Sequence, residues 1–179
     1  MDNPDFLVIG GGSAGAVVAA RLSEDPATRV VLVEAGHDTP PDALPADIAD
    51  TFPTSSLNPD YFWPGLQAVR STGGPTRPFP QARIMGGGSS VMGLWALRGV
   101  PSDFEAWTAA GAEGWGWTDL LPYYRKLEND FDRDQSQTSR GTYPIRRLPR
   151  REWPGFVSAI EQAAVERGLP LVEDINEKP

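Results

Sequence analysis

The chain has 179 residues, 40% of them hydrophobic, and its 24 acidic against 16 basic side chains give a net charge of −8. That is enough apolar material for a domain with a core of its own, and the charge is wrong for a nucleic-acid or anionic-membrane surface, which needs a positive footprint. With no cysteine and one histidine, His37, disulfide frameworks and thiolate metal sites are excluded and little is left for serine-type triads. No window is apolar for long enough to span a membrane, the amino terminus MDNPD is acidic where a secretory signal is basic, and no Asn-x-Ser/Thr acceptor occurs. A cytoplasmic protein is the expectation.

Phe6 to Ile9 form a short apolar run that stops at three glycines, Ala14 to Leu22 read as a helix of small residues, and Arg29 to Glu34 form a β-branched run. The order strand, tight turn, helix, strand predicts a βαβ unit and hence a parallel sheet. From His37 to Phe79 the chain is rich in proline and lacks a period, so it reads as a long irregular excursion, a kind of segment that is usually functional. SVMGLWALRG, residues 90–99, is apolar enough for a buried helix or strand. Ser102 with Glu105 predicts a capping box for a helix ending at Gly111, and Thr118 predicts the cap of another helix, residues 119–130, with Leu120, Leu121, Tyr124 and Leu127 on one face. Residues 131–151 turn polar and irregular, with the basic cluster IRRLPRREW read as a solvated loop face. The last helix is expected from Pro154 to Arg167, stopped by Gly168 and Pro170. Trp107, Trp115 and Trp117 are expected in the core, because large aromatics are core-formers first.

Gly10, Gly12 and Gly15 have the spacing of a dinucleotide-binding turn. Gly10 allows the sharp exit from the strand, Gly12 lets the backbone approach a pyrophosphate, and Gly15 lets helix and strand pack closely. Ser13 and Ala14 open the helix, whose unpaired N–H groups and positive dipole end face the phosphates. Glu34 lies 24 residues beyond Gly10, at the end of the second strand. A carboxylate there accepts hydrogen bonds from an adenosine ribose and repels a 2′-phosphate, which argues against NADP. At this point NAD and FAD remain equally open.

A second cluster, Gly86, Gly87 and Gly88, is followed by Ser89 and Ser90 at an expected helix start. It offers another place where backbone amides meet a polar ligand. A nicotinamide cofactor rarely needs two such clamps, whereas the longer FAD can be held at its pyrophosphate from both sides; a glycine hinge or close helix packing is the alternative.

Taken together, the stretches 5–36, 82–107 and 114–130 resemble the amino-terminal third of the glucose-methanol-choline (GMC) family of FAD-dependent alcohol oxidoreductases. The tail from Gly141 to Asn176 resembles the next family segment more loosely. Within the family the likeness is greatest to the 5-hydroxymethylfurfural oxidase-like bacterial oxidases of aromatic and furanic primary alcohols, with choline dehydrogenase-like members next. The resemblance implies an α/β Rossmann-like FAD-binding fold with a parallel sheet, incomplete in this chain, with residues 1–143 in the FAD-binding domain and 144–179 opening a substrate-binding domain. It implies that Gly10, Gly12, Ser13, Ala14 and Gly15 form the diphosphate turn and that Glu34 with Ala35 forms the adenosine-ribose site. Arg83, Met85, Gly86, Gly87 and Ser90 would lie along the flavin, Met92, Gly93, Leu94 and Trp95 under its ring, and Trp63 near the cofactor. The family commonly has asparagine at Met92, so a polar contact is lost or supplied elsewhere. Members with covalently attached FAD carry a histidine where this chain has Val91, which implies non-covalent FAD. His37 is expected on a surface loop on the adenosine side and not as a base.

The family's catalytic histidine and its partner lie near the carboxyl end, outside this sequence, so no catalytic residue is expected in the chain and no turnover from it alone. The enzyme implied is an alcohol oxidase or dehydrogenase acting on CH–OH groups, with a small-molecule alcohol as substrate and the rest of the enzyme as partner. The other readings are a stand-alone dinucleotide-binding module and an NAD-dependent dehydrogenase fragment. Two confident strands cannot bury a parallel sheet on both faces, which favours the first.

Overall fold

The structure is a computed structural model that describes residues 3–52, 54–133 and 141–176. The chain forms two compact units, Met1–Trp95 and Ala96–Pro179.

In the first unit β1 (Phe6–Ile9) pairs in parallel with β2 (Val30–Val33), in register from Phe6 opposite Val30 to Ile9 opposite Val33, and α1 (Ser13–Leu22) is the crossover between them. Asp5 fixes the register from below, its carboxylate accepting from the Arg29 amide at 2.8 Å while its own amide donates to the Arg29 carbonyl at 2.9 Å. The expected βαβ unit is present, and so is its incompleteness. Ile9 is 82% exposed, and Leu7, Val31, Val33, Val17 and Val18 are exposed as well. A parallel sheet is ordinarily covered on both faces, so this one presents apolar residues that need further cover.

The proline-rich excursion is more ordered than its composition predicts. It holds α2 (Ala46–Ala49), 3-10 turns at Thr54–Leu57 and Pro59–Tyr61, and an antiparallel hairpin of β3 (Gln67–Val69) with β4 (Thr76–Pro78). The hairpin escaped the sequence reading because its strands are only three residues long; its turn relies on Gly73 at φ +71° and on a Gly74 amide bond to Ser71. Residues after the 3-10 turns return along the approach to the second glycine run: Phe62 bridges Ala82 in antiparallel fashion, the Trp63 amide donates to Gln81 at 2.9 Å and the Arg83 amide to Tyr61 at 2.7 Å. The core of this unit is Tyr61, Ile84 and Val91, with Ile48, Phe62 and Ala82 packed against it.

Residues 90–99 correct the expectation of a buried helix or strand. Only α3 (Gly88–Val91) is helical, and the chain then runs without regular structure to the next helix, with Met92 60% and Trp95 82% exposed. Gly93 and Gly99 interrupt any period that would hold these apolar residues on one face.

In the second unit α4 (Pro101–Ala109) begins one residue before Ser102, with Val100 at the cap: the Val100 amide donates to the Asp103 carboxylate at 3.3 Å. Pro101 at the first helical position fixes this start, so Asp103 and not Glu105 is the reciprocal partner. Likewise α5 (Trp117–Leu127) is capped at Gly116, whose amide donates to Asp119 at 3.1 Å, and not at Thr118. It ends three residues short of the expected end because Glu128–Asp130 becomes β5, paired in parallel with β6 (Tyr143–Ile145). The polar stretch is thus partly strand; residues 134–140 of it lie outside the described residues. A 3-10 turn at Arg150–Glu152 leads to α6 (Gly155–Glu166), within a residue of its expected bounds.

The tryptophans are also corrected. Phe104 is buried and gathers the rings of Trp107 at 5.4 Å, Trp117 at 5.7 Å and Tyr124 at 6.4 Å, but Trp107 and Trp115 stay 49% and 54% exposed. Two short helices of nine and eleven residues cannot enclose that many large rings.

The basic cluster is largely the exposed face expected, with Arg146, Arg150 and Arg151 exposed, but Arg147 departs from it. Arg147 forms a bidentate pair with buried Asp130 at 2.8 and 2.9 Å and reaches Asp174 at 2.7 Å, and Arg133 pairs with both acids. Burial pushes the Asp130 carboxyl up, but the hydrogen bonds from Arg147 and the Asp132 amide, with the charges of Arg147 and Arg133, outweigh it and hold it below the ordinary carboxylate range. Asp174 is held low in the same way, the Asn176 amide and both arginines outweighing burial. A carboxylate whose folded pKa is depressed contributes stability that is complete above its unfolded value, about 4, and is lost as pH falls below it. Melting temperatures should therefore hold from pH 7 to about 5 and fall steeply below about 4. Asp130→Asn should flatten that fall while lowering stability at pH 7; an unchanged acid slope in the variant would contradict the assignment.

Candidate functional site

At the carboxyl end of β1 the chain turns with Gly10 at φ +95°, a conformation that side chains rarely adopt. A methyl placed on Gly15 would sit 1.9 Å from the Gly10 carbonyl oxygen, so α1 rests directly on the turn that precedes it. Gly12 caps α1 in extended conformation with no side-chain hydrogen bond, and the first N–H groups of a helix have no partner within it. Those amides, at Ser13 and Ala14 above all, and the positive end of the ten-residue helix dipole form a place for an anion.

Glu34, one residue past β2, is held under this turn. Its Oε2 accepts from the Gly11 amide at 2.7 Å and its Oε1 from the Gly36 amide at 2.9 Å. Each oxygen keeps a further lone pair, so a ribose hydroxyl can still be accepted. Gly11 and Gly36 were absent from the sequence-derived site, yet they orient its key acid. Gly36 carries a steric reason to be glycine, since a methyl there would lie 1.9 Å from the Arg83 carbonyl oxygen, whereas a methyl on Gly11 would meet the flexible Met85 side chain, its sulfur at 2.7 Å. The sequence signal was present in the glycine two places after Glu34.

The second glycine run lies against the first. The Gly86 amide donates to the Gly11 carbonyl at 2.7 Å, Gly86 forms a parallel bridge with Gly12, and a methyl on Gly87 would come within 2.8 Å of the Gly12 Cα. One step earlier the Met85 amide donates to the His37 carbonyl at 2.9 Å, next to the parallel bridge of His37 and Ile84. His37 is exposed as expected, although its backbone takes part in the join. Gly86 at φ +82° and Gly87 at φ +58° turn the chain into α3. The serine hydroxyls fasten that turn: Ser89 donates to the Gly86 carbonyl at 2.6 Å, Ser90 to the Met85 carbonyl at 2.8 Å, and Ser13 reaches the Gly86 carbonyl at 3.4 Å.

Arg83 sets its guanidinium over the Trp63 ring, 5.5 Å from the centroid, and its Nε is buried without a hydrogen-bond partner among the described residues. A buried unmatched donor at this place fits an acceptor supplied by a ligand. Trp63 and Met92 line one recess of about 460 Å³ together with Leu57 and Phe62. Leu94 has φ +60°, the one non-glycine residue in the left-handed region among those described, and its amide donates to the Met92 carbonyl at 2.9 Å. Met92, Gly93, Leu94 and Trp95 are exposed, and so is Ala35. The structure thus brings Gly10 to Gly15, Glu34 and Met85 to Ser90 into one backbone-lined cradle, with a neighbouring recess at Trp63 and Met92. Open glycine backbone, helix amides and an oriented carboxylate are what a dinucleotide requires, so the residues fit one.

The sequence profile described as "GMC oxidoreductase" matches residues 4–179. Similar proteins include the 5-(hydroxymethyl)furfural oxidase of Methylovorus sp. (strain MP688), 42% identical over 182 residues that make up 96% of this chain and 34% of that protein. The oxygen-dependent choline dehydrogenase of Sinorhizobium medicae (strain WSM419) is 35% identical over 178 residues, 96% of this chain and 31% of that one. Among solved structures, the crystal structure of pyridoxine 4-oxidase from "Mesorbium loti" superposes with a TM-score of 0.78 at 34% identity, covering 97% of this chain and 34% of that one. The chain spans about a third of the length of the curated relatives it matches.

Proposed function

Because the chain belongs to the GMC oxidoreductase family, we propose that it is the FAD-binding segment of a longer enzyme that oxidises a primary alcohol. The observation that carries the proposal is the join of the two glycine runs, with the Gly86 amide on the Gly11 carbonyl at 2.7 Å. A nicotinamide cofactor rarely needs a second clamp of this kind. On this reading residues 1–143 belong to the FAD-binding domain and 144–179 open the substrate-binding domain. Among the described residues no helix is long and apolar enough to cross a membrane; a cytoplasmic location is proposed from the acidic, cysteine-free composition.

When bound, FAD supplies the acceptor for the hydride that leaves the carbinol carbon. The chain's own residues bind and orient. Gly12 and the first amides of α1 take the pyrophosphate, Glu34 takes a ribose hydroxyl, and Gly86, Gly87 and Ser90 close the site from the other side with Arg83 and Met85. Met92 to Trp95 and Trp63 flank the ring. Val91, fully buried, stands at the attachment position, so the flavin is held without a covalent bond. The base that accepts the alcohol proton comes from the carboxyl-terminal part of the full-length enzyme.

The two similar oxidases are named for substrates that carry a hydroxymethyl group on a ring. The test is anaerobic addition of benzyl alcohol or 5-hydroxymethylfurfural to the full-length enzyme. Bleaching of the visible flavin band by these primary alcohols, and not by a secondary alcohol such as 1-phenylethanol, is expected. A flavin that dithionite bleaches and no primary alcohol does would overturn the substrate class.

A further inference from the structure

Tyr61 is 6% exposed and sits where three segments meet. Its hydroxyl donates to Asp47 Oδ1 at 2.9 Å, and the Asn58 side-chain amide donates to Asp47 Oδ2 at 3.0 Å. Both oxygens of an acid on α2 are therefore taken by donors from residues 58–61. Burial and the neighbouring Asp47 carboxylate push the Tyr61 phenol up, and the Asn58 and Tyr61 hydrogen bonds outweigh burial to hold the Asp47 carboxyl down, so the pair stays phenol and carboxylate through the neutral range. On its other side the Tyr61 ring packs with Ile84 and Val91, both 0% exposed, and its carbonyl accepts from the Arg83 amide at 2.7 Å. Ile84 stands two residues before Gly86, and Val91 ends α3, which starts at Gly88. The second glycine run is thus held at both ends by contacts that converge on one phenol ring.

We propose that Tyr61, locked by Asp47, is a positioning residue that holds the second glycine run in register against the first and so selectively strengthens the hold on the pyrophosphate and flavin part of the cofactor. The inference rests on the FAD reading above. Neither Tyr61 nor Asp47 belongs to the cradle itself; they act through Arg83, Ile84 and Val91. The adenosine side is oriented differently, by Glu34 on the Gly11 and Gly36 amides, and does not depend on the latch. Without the hydroxyl bond the ring still fills the core, but only Asn58 then ties the segment at 58–63 to α2, and the carbonyl that accepts from the Arg83 amide is less firmly fixed.

The experiment is a pair of dissociation constants on the full-length apoenzyme, one for FAD and one for AMP, which occupies only the adenosine side. Tyr61→Phe should raise the FAD constant about tenfold and the AMP constant less than about twofold. Asp47→Asn is the second variant: it keeps an acceptor for Tyr61 but turns an NH₂ group toward that of Asn58, and it should give the same pattern at smaller size. Loss of folded protein scales both constants equally, so a parallel rise in FAD and AMP constants overturns the inference, as does an unchanged FAD constant in both variants. If the wild-type protein binds AMP but not FAD, the FAD reading fails and the inference falls with it, a pattern distinct from either of the others.

Discussion

Gly36→Ala is expected to destabilise the amino-terminal unit by about 3 kcal/mol or more, the upper end of what overpacking does. The added methyl would lie 1.9 Å from the Arg83 carbonyl oxygen, 2.1 Å from its carbon and 2.4 Å from the Ile84 nitrogen. All three are backbone atoms of one peptide unit, so no side chain can swing aside. Relief requires moving residues 83–86, which carry the Met85 bond to His37 and the Gly86 bond to Gly11. The cost is wholly steric, since Gly36 is not among the glycines with positive φ. Gly65 offers the matched contrast: it has φ +71° and nothing within 4 Å of an added methyl, so Gly65→Ala should cost only the conformational penalty of about 1 kcal/mol. Denaturant unfolding of both variants in the full-length protein makes the comparison; a Gly36→Ala variant no less stable than Gly65→Ala would contradict the packing at this join.

Glu34→Ala is expected to raise the dissociation constants of AMP and FAD together, by about two orders of magnitude. It removes the acceptor of the Gly11 and Gly36 amides, at 2.7 and 2.9 Å, and leaves two part-buried donors without a charged partner, each worth about 1–3 kcal/mol. The acceptor proposed for the ribose hydroxyl goes with it. Glu34→Gln keeps one oxygen but points an NH₂ group at the other amide, so it should recover only part of the loss. Isothermal titration with AMP checks this directly. The parallel response of both ligands is the signature of the adenosine side, in contrast to the split response expected at Tyr61.

Local elements were legible in the sequence wherever a short-range rule decided them. The βαβ unit followed from two β-branched runs around a small-residue helix, and Gly10 and Gly15 do what their spacing implies, one by φ +95° and the other by contact with the Gly10 carbonyl. The last helix was bounded by proline and glycine and lies where expected. What was not legible depended on partners far away in the chain. Glu128 to Asp130 leave the helical pattern because Tyr143 to Ile145 lie beside them, and Arg147 is an anchor because Asp130 and Asp174 reach it over 17 and 27 residues. Gly36 stands in plain view two places after Glu34, but the packing of Gly11 and Gly36 on Met85, Gly86 and Arg83 comes from a segment that returns 47 to 75 residues later, which no local pattern encodes. The proline-rich excursion looked structureless for the same reason: Tyr61, at its centre, is defined by Asp47 and Ile84, neither of which is its neighbour in sequence.

If the two joined glycine runs form an FAD site, denaturing the purified full-length protein and chromatographing what it releases will show it. Close to one equivalent of free FAD per chain is expected in the supernatant, with none retained on the polypeptide. Release of a nicotinamide dinucleotide instead, or a folded protein that neither contains FAD nor takes it up, would contradict it.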